Sequence, residues 1–250
     1  MGFRFKAFAW HLAGSASALA LTLGLLYLAW YHWPGWYLAD MPTVLMIMVG
    51  VDVVLGPLLT FIVADPAKAR RVLARDVAAI LLVQLVAFGY GVTTLWHGRP
   101  LYYAFSVNCL SLIQAQDIEQ DPAAAGAQNS ELAPHWYSLP RWIWAPLPEN
   151  SEESDRIIRS AITGGDDVVS MPRYFKNWQQ GLPALREQLK KVDDLGYFSR
   201  PDKTALKERM RAAGLSPEQP NSLPFTGRGP PLLAVFDPTT LKIKAIFKAE

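Results

Sequence analysis

Apolar residues are unevenly spread along the 250-residue chain. Three long runs dominate its first part. Residues 8–31 carry one histidine and no charge, residues 43–63 carry one charge, Asp52, and residues 77–96 carry none, with Gln84 their most polar member. Each run holds about 20 residues, enough for a helix rising about 1.5 Å per residue to cross a hydrocarbon layer of about 30 Å. Three successive runs of this length are too many for the core helices of a soluble protein, so the pattern predicts three transmembrane helices within residues 1–97. The first run has a basic start, but it ends in Trp30, Tyr31, His32 and Trp33 rather than in small residues. It is therefore expected to remain as an uncleaved helix.

Beyond residue 97 the runs shorten and the period changes. Residues 101–107 are aromatic and β-branched and predict a strand, with a second strand or its continuation over 110–118. Residues 121–129 predict a loop, and residues 134–148, with four prolines and three tryptophans, an irregular stretch. Residues 151–162 predict a helix with an acidic first turn, stopped by Gly164 and Gly165. Further helices are expected over 183–192 and over 203–213, the latter ended by Gly214. Residues 232–247 predict a β-hairpin turning at Asp237-Pro238-Thr239-Thr240, because Leu241, Ile243, Ala245 and Phe247 alternate with Lys242, Lys244, Ile246 and Lys248. The fold class expected is thus an α-helical membrane domain of three transmembrane helices plus a small α+β domain over residues 98–250.

Composition sharpens this division. Hydrophobic residues make up 51 % of the chain and charged residues 18 %, against about 25 % charged in soluble domains. The first 96 residues hold six Lys/Arg and four Asp, whereas the remaining 154 hold eighteen basic and eighteen acidic residues. The net charge of +2 therefore arises entirely in the apolar part. It excludes an acidic or disordered chain, and it excludes a nucleic-acid binder driven by bulk charge. Lys and Arg also set orientation. Arg4 and Lys6 precede the first run, and Lys68, Arg70, Arg71 and Arg75 lie between the second and third, while residues 32–42 have no basic side chain besides His32. The N-terminus and residues 65–76 are expected in the cytoplasm, and residues 98–250 in the periplasm of a bacterium. Trp30, Trp33, Trp36 and Trp96 fit the aromatic belt at that outer boundary.

Candidate chemistry is sparse. No phosphate-binding glycine loop, dinucleotide fingerprint, H-E-x-x-H or G-x-S-x-G is present. The four histidines (His11, His32, His97, His135) have no carboxylates at ligand spacing, and one cysteine, Cys109, excludes a disulfide framework and a cysteine-cluster metal site. Cys109 reads as a buried inert thiol, since no motif places a histidine beside it. The acid pairs Glu152-Glu153, Asp166-Asp167 and Asp193-Asp194 read as solvated helix starts or turns rather than as acid/base pairs. No cofactor, metal or catalytic residue is expected. Asp52 is the sharpest signal. It falls near mid-membrane, where a charge costs on the order of 2.5–3.5 kcal/mol on insertion scales. It should face other helices, either bonded within the bundle or meeting a polar or cationic group on a partner helix. Gln84 should lie at the same depth and could bond to it. Pro57, one turn beyond, should kink the helix by freeing the Val53 carbonyl. Gly56 and small residues on the first and third runs (Gly14, Ser15, Ser17, Gly89, Gly91) allow close helix packing.

A family resemblance rests on these residues. The stretch VDVVLGPLLTFIV at 51–63, followed by Asp65-Pro66, Lys68, Arg75-Asp76, Gln84, Ala87, Tyr90-Gly91 and Arg99-Pro100, resembles the TfpX/TfpZ family of type IV pilin accessory proteins. The D-x-x-L-G-P-x-L-T core at 52–60 is its most specific part. The likeness covers roughly residues 5–120 well and the rest loosely. One departure is Asn108-Cys109-Leu110, where the family often has an acidic or aromatic run. The resemblance implies an inner-membrane protein with a periplasmic domain, a non-enzymatic and chaperone-like role in pilin stability or pilus assembly, and a membrane-embedded pilin as partner beside lipid. Asp52, Gly56, Pro57 and Gln84 are then the expected contact for a pilin helix, with Asp52 and the kink as its docking groove. The alternative class is a membrane-anchored pilin-modifying enzyme or a periplasmic ligand-binding protein. Oligomeric state is left open.

Overall fold

In a computed structural model, residues 2–118 and 131–249 are described, and the loop expected at 121–129 lies outside them. The chain forms two units, one of Met1–His32 and Asp40–Gly98, the other of Trp33–Ala39 and Arg99–Glu250.

The first unit holds three helices long and apolar enough to cross a membrane, Phe3–Tyr31, Met41–Val63 and Arg70–His97. The first is α1 (Phe3–Leu26) continued by a π-helical turn, Tyr27–Tyr31. The second is α3 (Met41–Met48), a π-helical segment Val49–Leu55, and α4 (Gly56–Val63). The third is α5 (Arg70–His97). α1 and α5 extend beyond the apolar runs at 8–31 and 77–96 because Arg4, Lys6, Arg70, Arg71 and Arg75 are good helix formers and need no apolar surroundings. Two ion pairs, Arg4–Asp65 at 3.0 Å and Lys68–Asp76 at 2.8 Å, gather at this charged end. Toward the other end, the Tyr31 hydroxyl donates to the Leu95 carbonyl at 2.8 Å, and Trp30 meets Trp96 edge to face at 5.3 Å. Both α1 and α5 pack on the middle helix. Their outward faces keep Leu21, Leu25, Leu82, Val83 and Val86 exposed, as a hydrocarbon surrounding requires.

The second unit is an α+β domain around one seven-stranded mixed sheet of order β4-β3-β1-β2-β5-β6-β7. Its strands are β1 (Pro100–Ser106), β2 (Cys109–Gln114), β3 (Arg141–Trp144), β4 (Lys176–Asn177), β5 (Ser222–Thr226), β6 (Leu232–Phe236) and β7 (Ile243–Lys248). Its longer helices are α6 (Ser151–Ile162), α7 (Trp178–Gln188) and α8 (Arg200–Ala212). Strand β1 is buried along its whole length. It pairs antiparallel with β2 and parallel with β3.

The sequence reading and the structure differ at β3, β5 and the start of α7. The proline-rich stretch at 134–148 contains β3, a four-residue run between Pro140 and Pro146 that reaches Tyr102 to Phe105 of β1. Strand β5 was hidden by Pro224. That residue lies between the Lys190–Ser222 bridge and the Leu110–Phe225 pair, where its missing N–H leaves no ladder bond unmade. Helix α7 starts at Trp178, ahead of Pro183, because the Asn177 side chain accepts from the Gln179 N–H at 3.1 Å and caps it there. The terminal hairpin forms as the alternation predicts, with Leu233 opposite Phe247 and Val235 opposite Ala245.

The short segment Trp33–Ala39 between α1 and α3 folds with the second unit. Its central turn is α2 (Gly35–Leu38). Leu38 is fully buried, and its carbonyl accepts from the N–H groups of Arg228 at 2.7 Å and Gly229 at 2.9 Å. The Lys248 ammonium lies 4.3 Å from the Tyr37 ring centre and 5.6 Å from that of Trp33. Trp33 and Trp36, read from sequence as markers of the membrane boundary, are therefore part of this domain. Gly227 is required by the approach, since a Cβ on it would lie 2.4 Å from the Leu38 carbonyl oxygen.

Two outcomes follow. Gly227→Ala should destabilise the domain by roughly 1–3 kcal/mol through overpacking against main chain. It should be seen as a lower melting temperature and faster protease cleavage within residues 33–39, and unchanged cleavage would contradict it. The Asp237 carboxylate accepts from Thr240 N–H at 2.8 Å and Thr239 N–H at 2.9 Å, and pairs with Lys244 at 2.9 Å. The Thr240 bond first, then the Lys244 and Thr239 contacts, hold its carboxyl far below the usual range. A depressed folded value gives stability that is complete above an unfolded value of about 3.9 and is lost as pH falls toward the folded one. The gap in melting temperature between wild type and Asp237→Ala should therefore shrink below about pH 4. A gap constant from pH 7 to pH 2 would contradict it.

Candidate functional site

The polar centre of the first unit begins with a missing proton. Pro57 has no N–H to give to an earlier carbonyl. The helix before it widens, and Gly56 N–H bonds to the Val51 carbonyl, five residues back. In that register the carbonyl that Pro57 would have served is that of Asp52, not that of Val53 as helix spacing alone suggests. Gln84 on α5 supplies the replacement, its Nε2 donating to the Asp52 carbonyl at 3.1 Å. The contact expected between Gln84 and Asp52 thus forms, but to the main chain. Gly56 makes room for it, because a Cβ there would lie 1.9 Å from Gln84 Nε2 and 2.3 Å from Cδ.

Around this centre lies a cavity of about 500 Å³. One face of α1 lines it, with Ala7, His11, Gly14, Ser15 and Ala18 at helical spacing, and one face of α5, with Val77, Leu81, Gln84 and Phe88; Asp52 and Thr60 of the middle helix form its floor. Asp52, Thr60 and Gln84 are 5 %, 3 % and 8 % exposed. The Thr60 hydroxyl and His11 Nδ1 lie 2.5 Å apart. Three polar groups are left over. Gln84 Oε1 and His11 Nε2 are buried without a partner, and the Asp52 carboxyl makes no hydrogen bond among the described residues. An unsatisfied buried polar group costs about 1–3 kcal/mol. A cavity bordered by two of them and by the Asp52 carboxyl is suited to a ligand bearing hydrogen-bonding groups.

Of the four residues expected to contact a partner helix, Asp52 and Gln84 line this cavity, whereas Gly56 and Pro57 are buried and do not line it, Gly56 lying against Gln84 of α5. His11 and Thr60 join the site without having been singled out. Their signal was available: His11 is the one histidine in the first apolar run, and Thr60 closes the motif that starts at Asp52.

The other candidates have structural employment. Asn150 caps α6 through the N–H groups of Glu152 and Glu153, and Glu153 accepts from the Tyr174 hydroxyl. Asp167 accepts from Val168 N–H, and Asp193 pairs with Lys207 at 2.8 Å. His97 Nδ1 lies 2.8 Å from the Thr93 carbonyl of its own helix, and His135 stacks on Tyr137. The Cys109 thiol is pushed up chiefly by burial, opposed by its contact with Ser111. Among the described residues no three His, Cys, Asp or Glu side chains could together hold a metal ion.

The fit between Gly56 and Gln84 can be measured as a coupling. Gly56→Ala alone should cost roughly 1–3 kcal/mol by displacing Gln84. In a Gln84→Ala background the same substitution should cost less, giving a coupling of about 1 kcal/mol or more in detergent unfolding. Additive effects would contradict it.

Comparison with known proteins places the chain in context. No family model matches it, and no solved structure resembles it. Relatives are found among curated proteins of Dichelobacter nodosus. A fimbrial assembly protein of serogroup I is 26 % identical over 184 residues, 72 % of this chain and 69 % of the relative. Its serogroup E1 counterpart is 26 % identical over 213 residues, 83 % of this chain and 80 % of the relative. The fimbrial assembly protein of serogroups C1 and C2 is 32 % identical over 111 residues, 44 % of this chain and 85 % of the relative. With that identity over most of a relative's length, the chain belongs to the fimbrial assembly protein family.

Proposed function

We propose that the protein is a non-enzymatic, chaperone-like accessory of type IV pilus assembly, of the TfpX/TfpZ kind, that acts on a membrane-embedded pilin in the bacterial inner membrane. The observation that supports this is the union, in a chain of the fimbrial assembly family, of an apolar three-helix unit with a folded domain. A pilin awaiting assembly keeps an apolar helix in the bilayer and its head in the periplasm, so a protein that holds it needs a contact layer in each. In this topology the N-terminus and the Arg- and Lys-bearing stretch at 65–76 face the cytoplasm. Trp33–Ala39 and Arg99–Glu250 share a fold, which fits their lying on the same, periplasmic side.

The test is affinity capture of the full-length protein from detergent-solubilised membranes of cells with and without the pilin gene. Pilin should be recovered in comparable molar amount, and deletion of the protein should reduce piliation. Absence of pilin from the captured material, with piliation unchanged in the deletion strain, would overturn the reading.

A further inference from the structure

Residues 132–140 of the second unit hold no Asp, Glu, Lys or Arg, within a part of the chain that is otherwise rich in all four. Their middle is a tight turn. Ser138 N–H donates to the His135 carbonyl at 3.0 Å, and His135 N–H donates to the Ser138 hydroxyl at 2.8 Å. The base of the turn is held. Ser138 is buried, the Tyr102 hydroxyl donates to the Leu132 carbonyl, and Leu132 packs on the cluster around Leu101 and Tyr102. Arg141 donates to the Glu131 carbonyl at 2.9 Å. Trp136 and Tyr137 occupy the two tip positions and are 70 % and 58 % exposed, with Leu139 beside them 58 % exposed. An aromatic tip on a fixed base is an interaction surface.

Strand order places this turn. β1 starts at Pro100, three residues after the third apolar helix ends at His97, a chain reach of at most about 11 Å. β2 is antiparallel to β1 and returns to the same end, with Gln114 opposite Pro100. β5 runs parallel to β2 and so ends there too. Just past it, Arg228 and Gly229 receive the Leu38 carbonyl from the segment between the first two apolar helices. Both connections from the apolar helices thus reach one end of the sheet. β3 is parallel to β1, with Arg141 opposite Tyr102, so the turn at 135–138, which precedes β3, emerges at that end. The β1–β2 turn, with Val107 54 % exposed, lies at the opposite end.

We propose that Trp136, Tyr137 and Leu139 dip into the headgroup layer of the bilayer that the three helices span, a lipid contact that rests on the topology given above. Trp and Tyr favour that layer because the ring is apolar while its N–H or O–H stays among headgroups and water. A charge-free stretch enters it without stripping water from an ion. The turn is then a further attachment beside the three covalent ones, at 32–33, 39–40 and 98–99.

The experiment uses the full-length chain in phosphatidylethanolamine/phosphatidylglycerol liposomes without pilin. Cys109→Ser removes the native thiol. A fluorophore is then attached in turn at Tyr137→Cys, at Val107→Cys at the far end of the sheet, and at Leu21→Cys on the outward face of α1. A nitroxide on the lipid headgroup should quench the probe at 137 at least threefold more than the probe at 107. A nitroxide deep in the acyl region should quench the probe at 21 more than the probe at 137. Trp136→Ser combined with Leu139→Ser should reduce headgroup quenching at 137 at least twofold while leaving the melting temperature in detergent unchanged, because both side chains are exposed. Equal quenching at 137 and 107, with strong quenching at 21, would overturn the lipid contact and leave the spanning helices intact. A probe at 137 that is shielded only when pilin is reconstituted alongside would overturn it in favour of a protein contact. A probe at 21 that no nitroxide quenches would overturn the spanning topology and this proposal together.

Discussion

The first unit turns on an amide proton that Pro57 does not have. Its absence widens the preceding helix, and the widened register leaves the Asp52 carbonyl to be served by Gln84 from a different helix. That single bond ties the second helix to the third at the depth where hydrocarbon offers no substitute. It also fixes what Gly56 must be, since the amide passes through the space a methyl group would occupy. With the amide nitrogen engaged on main chain, the amide oxygen is left buried over Gly56 without a partner, and Asp52 lines the cavity.

This arrangement explains why a polar mid-membrane pair does not read as a simple internal contact. Were Gln84 Nε2 bonded to the Asp52 carboxyl instead, the Asp52 carbonyl would be left without the donor that Pro57 cannot supply. Because the bond goes to the backbone, the unit is held together while its polar groups remain open. The second helix is shared by both neighbours, and the first and third helices meet each other at the Tyr31–Leu95 and Trp30–Trp96 contacts, with the cavity lying toward the other end.

Much of this was legible along the chain. Uniformly apolar runs of membrane length announce themselves, as does an alternating hairpin around Asp-Pro-Thr-Thr. The identity of Asp52 and Gln84 as a pair followed from depth alone. What escaped has physical causes. The shift of the orphaned carbonyl from Val53 to Asp52 depends on helix register, which no side-chain pattern encodes. β3 and β5 are short, flanked or interrupted by proline, and held by partners far away in sequence, so local preference argued against both. The role of Trp33–Ala39 was masked by its own composition. Tryptophan and tyrosine next to an apolar run suit a membrane boundary equally well, and only tertiary packing distinguishes the two.

That last segment carries a consequence for the order of events in biosynthesis. Trp33–Ala39 leaves the ribosome early, yet the groups that receive it, Arg228, Gly229 and Lys248, are among the last to be made. Contacts separated by so much chain close late and slowly, because loop entropy is lost before they repay it. The domain therefore reaches its final form only after all three helices are in place. A chain truncated near its end would lack the groups that bury Leu38 and hold Trp33–Ala39.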